Sequence, residues 1–315
     1  MDSREQLIDW LLEGDPAIQY QTRRDLLDQD DAELQARIAR QGWGAAFLAQ
    51  HGAVTPGHWG QRFYQPKWTS SHYTLLDLKH LQIQPAVPAI QETLAKILHE
   101  EKAADGGILP SGKLRLSDAC INGMFLNYAC YFAVEANALE SVVDCILAGQ
   151  LTDGGFNCRV NRSGAQHSSM HTTISILEGF WEYERRAYPY HLADVQQAAA
   201  KAREFLLMHR LYKSDHTGEV IQKSFTMLSF PSRWYYDILR ALVYFAEARI
   251  PYDERLADAL GLLESKRRKD GRWPLQAKHP GQVHFDMEKT GQASRWITLR
   301  ALRVLDYYSS RENSL

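Results

Sequence analysis

Asp118 and Cys120 stand two residues apart at the start of an apolar run, and His171 stands at the start of a later one. A thiol at a helix N-terminus lies at the positive end of the helix dipole, which stabilises the thiolate and lowers its pKa. Residues i and i+2 diverge on a helix, so Asp118 and Cys120 can act together only if Asp118 occupies the cap position. The plainer alternative is a small buried Cys beside a capping Asp, with His171 an inward polar residue. Glu178 lies seven residues after His171 and shares its helix face. A carboxylate there is either paired or a functional acid. With Asp118 and Tyr235 it makes the catalytic set. His284-Phe285-Asp286-Met287-Glu288 offers two more carboxylates.

Cations and aromatics crowd the stretches before these helices. Arg115, Arg159, Arg162, Arg233 and Arg295 all lie at or before helix starts, where dipole and guanidinium together would receive an anion. An Arg in a loop also simply caps carbonyls. Trp59, Phe63, Tyr64, Trp68, Tyr73, Trp234 and Trp296 would line a pocket for an isoprenoid-like chain, stack on a sugar ring, or form plain core. The ligand-binding set is Arg115, Arg159, Arg162, His72, Trp68, Trp234, Arg295, Trp296 and Glu288. Asp28-Gln29-Asp30-Asp31 spells an acid motif, but four polar residues in a short connection cannot keep a proton donor protonated. Asp30 and Asp31 read as a helix cap and first-turn acid.

The elements that must position these residues are helices. Apolar residues recur at helical spacing in segments such as LIDWLLEG, HYTLLDLKHL, INGMFLNYACYF and YYDILRALVYFAEA. No alternation is long enough for a sheet, and Ile108-Leu109 belongs to a hairpin-like loop. Six helices open alike, at Asp15-Pro16 and at Ser71, Ser117, Ser168-Ser169, Ser232 and Ser294, recurring about every 50 residues. A second set alternates with them, roughly over 3–13, 30–50, 86–102, 138–150, 191–209 and 253–268, many ending in Gly-rich turns such as Asp105-Gly106-Gly107 and Asp153-Gly154-Gly155. The spacing predicts an all-α (α/α)6 toroid of six inner and six outer helices in a single domain, residues 1–315. An open solenoid is the alternative.

Composition narrows the function classes. The chain has 315 residues, 36 Lys+Arg against 38 Asp+Glu, and a net charge of −2, so it lacks the basic excess of a nucleic-acid binder. No run approaches the ~20 apolar residues of a membrane span. Residues 1–14 lack a basic leader region, so a cytoplasmic protein is expected. The four cysteines make no disulfide framework. No phosphate-binding Gly loop, H-E-x-x-H or G-x-S-x-G is present.

This organisation resembles the α/α toroid family of protein prenyltransferase β subunits and squalene-cyclase-like (terpenoid cyclase) domains. The resemblance covers most of the chain as architecture and is sharper over 101–183. There the Asp-Gly-Gly turns lead into Asp118-x-Cys120, then into His171-Thr172 and Leu177-Glu178-Gly179. It implies Asp118, Cys120 and His171 as zinc ligands and Arg115 as a diphosphate contact. Ile121 stands where that family has Tyr. Three such ligands leave a fourth position open for a substrate thiol or water; Cys158 and His167 could substitute. The implied function is a zinc-dependent transferase- or cyclase-like enzyme acting on an apolar or isoprenoid-like small molecule in the central cavity. Alternatives are a carbohydrate-active hydrolase or lyase using Glu178, Asp286 or Glu288, and a non-catalytic ring that binds a ligand or protein.

Overall fold

The computed structural model of the chain describes residues 3–110 and 116–312. In chain order the helices are α1 (Ser3–Leu12), α2 (Pro16–Leu26), α3 (Ala32–Ile38), α4 (Gly42–Leu48), α5 (Ser71–His80), α6 (Pro88–Glu100), α7 (Ala119–Tyr131), α8 (Ala136–Ala148), α9 (Val160–Ser163), α10 (Met170–Arg185), α11 (Leu192–Met208), α12 (Ile238–Glu247), α13 (Ala257–Ser265) and α14 (Arg295–Glu312). Among the described residues there is no strand, only isolated pairings such as Lys102 with Ile108, which is the hairpin-like loop expected there. The fold is all-α, and no helix among these residues is long and apolar enough to cross a membrane.

Burial separates two kinds of helix. α5 is buried at every position from Ser71 to Leu78, α7 from Ile121 to Tyr131, and α12 from Ile238 to Phe245. A helix apolar on all sides must be covered on all sides. α6 and α8 bury a single stripe instead, Ile90, Thr93, Leu94 and Ile97 on one, Leu139, Val142, Val143 and Ile146 on the other. α5 packs on α7, α7 on α10, α10 on α12, α12 on α14, and α14 on α2. From α2, Gln21 Nε2 donates to His80 O (3.0 Å) at the end of α5, and α4 touches both helices. α7 and α10 approach closely: a Cβ on Gly179 would lie 2.5 Å from Gly123 O.

The structure corrects several boundaries. The segment 30–50 is two helices, because the Asp15 carboxylate that caps α2 also accepts the Trp43 N–H (2.7 Å) and pins the start of α4. α12 opens at Ile238 rather than at Ser232, with Asp237 as its cap accepting Arg240 N–H (2.9 Å). The residues before it are held out of the helix by Pro231 and by the positive φ of Arg233. Of the five serine-led starts, Ser294 caps with its side chain, accepting Ile297 N–H (2.9 Å). Among the described residues Ser232 Oγ is buried without a hydrogen-bond partner, and the other three bind backward into the loop before them. Ser117 N and Oγ donate to Asp105 Oδ2 (2.7 and 3.1 Å), and Ser168 N and Oγ donate to Asp153 (2.8 and 2.5 Å). Ser71 Oγ accepts Trp59 N–H (3.1 Å).

Candidate ligand-binding site

The loops before α7, α10 and α14 share one internal arrangement. A polar side chain one turn into each helix accepts the backbone N–H of the residue after the Gly turn: Asn122 from Ile108 (2.8 Å), Thr173 from Phe156 (3.0 Å), Thr298 from Trp273 (3.0 Å). Buried backbone donors need such partners. The Asp of the turn then clamps the helix start, as Asp105 and Asp153 do. These ties fix where the first residues of each helix open to solvent.

At the N-terminal ends of α7 and α10 lies a cavity of about 590 Å³. Asp118, Cys120, Cys158, Arg159, His171 and Trp234 all line it, with Tyr64, Lys67, His209 and Phe225. The sequence thus brings Asp118, Cys120 and His171 to one cavity, but not into one coordination set. Among the described residues no group of three His, Cys, Asp or Glu side chains can hold a metal ion. The imidazole is also turned the wrong way. His171 Nδ1 accepts the Tyr236 backbone N–H (2.8 Å), so its proton sits on Nε2. A zinc-ligating imidazole donates from its second nitrogen instead. Burial, helped by the Arg240 charge, pushes the His171 pKa down to about 4, so the ring is neutral and presents an N–H donor. These residues do not fit zinc as arranged.

The aromatic wall is ordered. Trp234 stacks on Tyr235 (centroids 3.9 Å) and Tyr235 on His279 (3.8 Å), while His171 meets Trp234 edge-on (5.1 Å). Lys67 Nζ sits over the rings of Trp68 (4.7 Å) and Trp234 (5.1 Å), and such a cation–π contact holds a cation at an aromatic face. Trp68 is buried and donates Nε1–H to Pro280 O (2.6 Å), tying down the loop that carries His279.

The other expected residues have structural partners. Glu178 is held by Arg240 through two hydrogen bonds (2.8 and 2.7 Å). Glu288 accepts from the Ser294 hydroxyl and from Arg295 N–H (2.6 Å), so it caps α14. Asp286 pairs with Lys278. Arg295 faces α1, donating to Trp10 O (2.9 Å) and lying over the Trp10 ring. Trp296 is core, stacked on Phe230 (4.5 Å). His72 is fully buried against Tyr128 OH (3.1 Å), and burial pushes its pKa down to about 3. Asp31 caps α3, accepting Leu34 N–H (2.9 Å), while Asp30 lies before the cap and accepts from Tyr20 OH (3.1 Å), and Glu33 is the first-turn acid. Arg115 and the Arg162 side chain lie outside the described residues.

Neither a protein-family model nor a characterised protein sequence matches the chain. The sequence reading missed Arg240 and Asp77, which are buried between the helices. Asp77 pairs with Arg233, yet burial outweighs that charge and pushes its pKa up to about 6. Their signal was available: Asp77 and Arg240 are the Asp and the Arg set within the buried stretches Ser71–Leu78 of α5 and Ile238–Phe245 of α12.

Proposed function

We propose that the chain is an (α/α)6 toroid of the prenyltransferase or terpenoid-cyclase type, an enzyme that takes an apolar small molecule with an anionic end into the cavity between the α7 and α10 starts. The observation that carries this is the make-up of that cavity: aromatic walls from Tyr64, Phe225 and Trp234, with Lys67, Arg159 and the His171 Nε2–H at hand for an anion. The contact order from α2 round to α14 and back to α2 supports the closed ring. The bidentate hold on Glu178 and the capping role of Glu288 speak against carbohydrate acid–base chemistry at those carboxylates. No chemical step is assigned to a metal.

The test is a titration of farnesyl diphosphate followed by tryptophan fluorescence, with mass spectrometry for turnover. Saturable quenching is expected, weakened at least tenfold in Lys67→Met and in His171→Phe. A folded wild-type chain that does not bind the probe overturns the reading. Elemental analysis of zinc-supplied protein accompanies it. One zinc per chain, lost in Cys120→Ser, would restore the ligand set that the resemblance implies.

A further inference from the structure

The C-terminal ends of α2, α5, α10, α12 and α14 gather around a second cavity of about 660 Å³, at the other end of these helices from the α7 and α10 starts. Lys79, Gln82, Trp181, Val243, Glu247 and Arg303 line both this cavity and a small inner chamber of about 50 Å³. The two are therefore a vestibule and its floor. His80, Trp296 and Arg300 line the inner chamber alone.

The inner chamber is rich in polar nitrogens without a partner among the described residues. Trp296 is 1 % exposed and its indole Nε1 has no hydrogen-bond partner; His80 Nδ1 is buried with none. Arg300 is 9 % exposed, and among the described residues its guanidinium makes no hydrogen bond and no ion pair, lying only over the Phe230 ring (5.7 Å). A buried guanidinium without an acceptor is costly, and native proteins seldom leave one so. Asp237, Glu247 and Glu178 act on Arg300 through space, but each is hydrogen-bonded elsewhere: Asp237 to the Ser229 hydroxyl (2.6 Å) and the Arg240 N–H (2.9 Å), Glu178 to Arg240, and Glu247 to Arg303 (2.6 Å). Water could accept from these donors, but a charged acceptor makes the stronger, charge-assisted bond. Among the described residues no carboxylate reaches the Arg300 guanidinium within hydrogen-bond distance, and its planar fork matches a planar carboxylate.

We propose that this pocket is a second ligand site, which binds the carboxylate of a small organic acid on Arg300, Trp296 Nε1 and His80 Nδ1, with the rest of the molecule in the vestibule beside Trp181. Inorganic phosphate has no organic body to fill the vestibule beside Trp181. The site is separate from the cavity at the α7 and α10 starts and does not rest on the function proposed for it.

Benzoate serves as the probe, titrated calorimetrically at low salt into the full chain, with inorganic phosphate as comparison. Saturable 1:1 benzoate binding is expected, stronger than that of phosphate. Arg300→Gln should weaken it at least tenfold with unchanged circular dichroism, and Lys67→Met, in the other cavity, should leave it unchanged. Absent binding to the folded wild-type chain, equal affinity in folded Arg300→Gln, or tighter binding of phosphate overturns the proposal. Should Arg300→Gln not fold, photolabelling of the wild-type chain with 4-azidobenzoate decides. Label on peptides spanning 178–185, 243–249 or 296–303 supports the site, and label confined to peptides around 118–171 overturns it.

Discussion

Arg240 on α12 holds both carboxylate oxygens of Glu178 on α10, at 2.8 and 2.7 Å, and its guanidinium also donates to Tyr235 O (2.8 Å) and Ser175 Oγ (3.2 Å). The pair joins two helices whose side chains are otherwise largely apolar, with the Arg240 side chain 2 % exposed. An Asp237 cap fixes the turn of α12 that carries Arg240, so helix start and ion pair are one unit.

Arg240→Ala strands the Glu178 carboxylate among buried neighbours. Removing one partner of such a pair costs roughly 3–5 kcal/mol, whereas replacing both by apolar residues of similar size is often close to neutral. Urea denaturation should therefore show a large loss for Arg240→Ala, and a smaller one for Arg240→Met combined with Glu178→Leu. Equal losses would mean that the pair contributes by packing alone.

Gly154 has φ +90°, and a Cβ there would lie 2.8 Å from Lys201 O on α11. Gly218 also has positive φ, +71°, but meets nothing within 4 Å. Gly218→Ala should cost about 1–2 kcal/mol for the left-handed backbone alone. Gly154→Ala should cost clearly more, because the turn must also move off the backbone of α11. Thermal midpoints of the two variants measure the difference, and similar midpoints would remove the close approach from the account.

Histidines should govern the acid limb of stability. Burial holds the pKa of His72 at about 3, and those of His171, His279 and His284 at about 4, against an ordinary 6.5. A depressed folded-state pKa means that the unfolded chain takes up the proton first. The stabilisation is whole above pH 6.5 and is lost as pH falls toward the folded values. Asp77 acts in the opposite sense: with its folded pKa raised to about 6, its contribution is whole below 3.8 and is lost as pH rises through 6. His72→Gln should flatten the stability profile below pH 6.5 by about 1.4 kcal/mol per pH unit. Denaturation midpoints taken from pH 7 to pH 4 check it, and a slope equal to the wild type would show that His72 is not neutral in the folded state.

Helix type and order were legible in the sequence because burial imposes a period. The run INGMFLNYACY is largely apolar around the whole helix and is buried all round, while the stripe of Ile90, Leu94 and Ile97 marks a half-covered helix. The gathering of Asp118, Cys120 and His171 at one cavity also followed, since helices that start alike open on one side. The capping role of Asp31 was local and readable from the residue and its place. Tertiary structure alone decided the rest. Whether Glu178 is an acid or a partner depends on Arg240, 62 positions away, and no local pattern encodes that meeting. The serines at the helix starts could cap forward or bind backward, and the Asp of the preceding Gly turn decided the matter at Ser117 and Ser168. The orientation of the His171 ring was fixed by the Tyr236 backbone N–H, a donor that becomes available only because Asp237 begins α12 late and leaves that amide outside the helix.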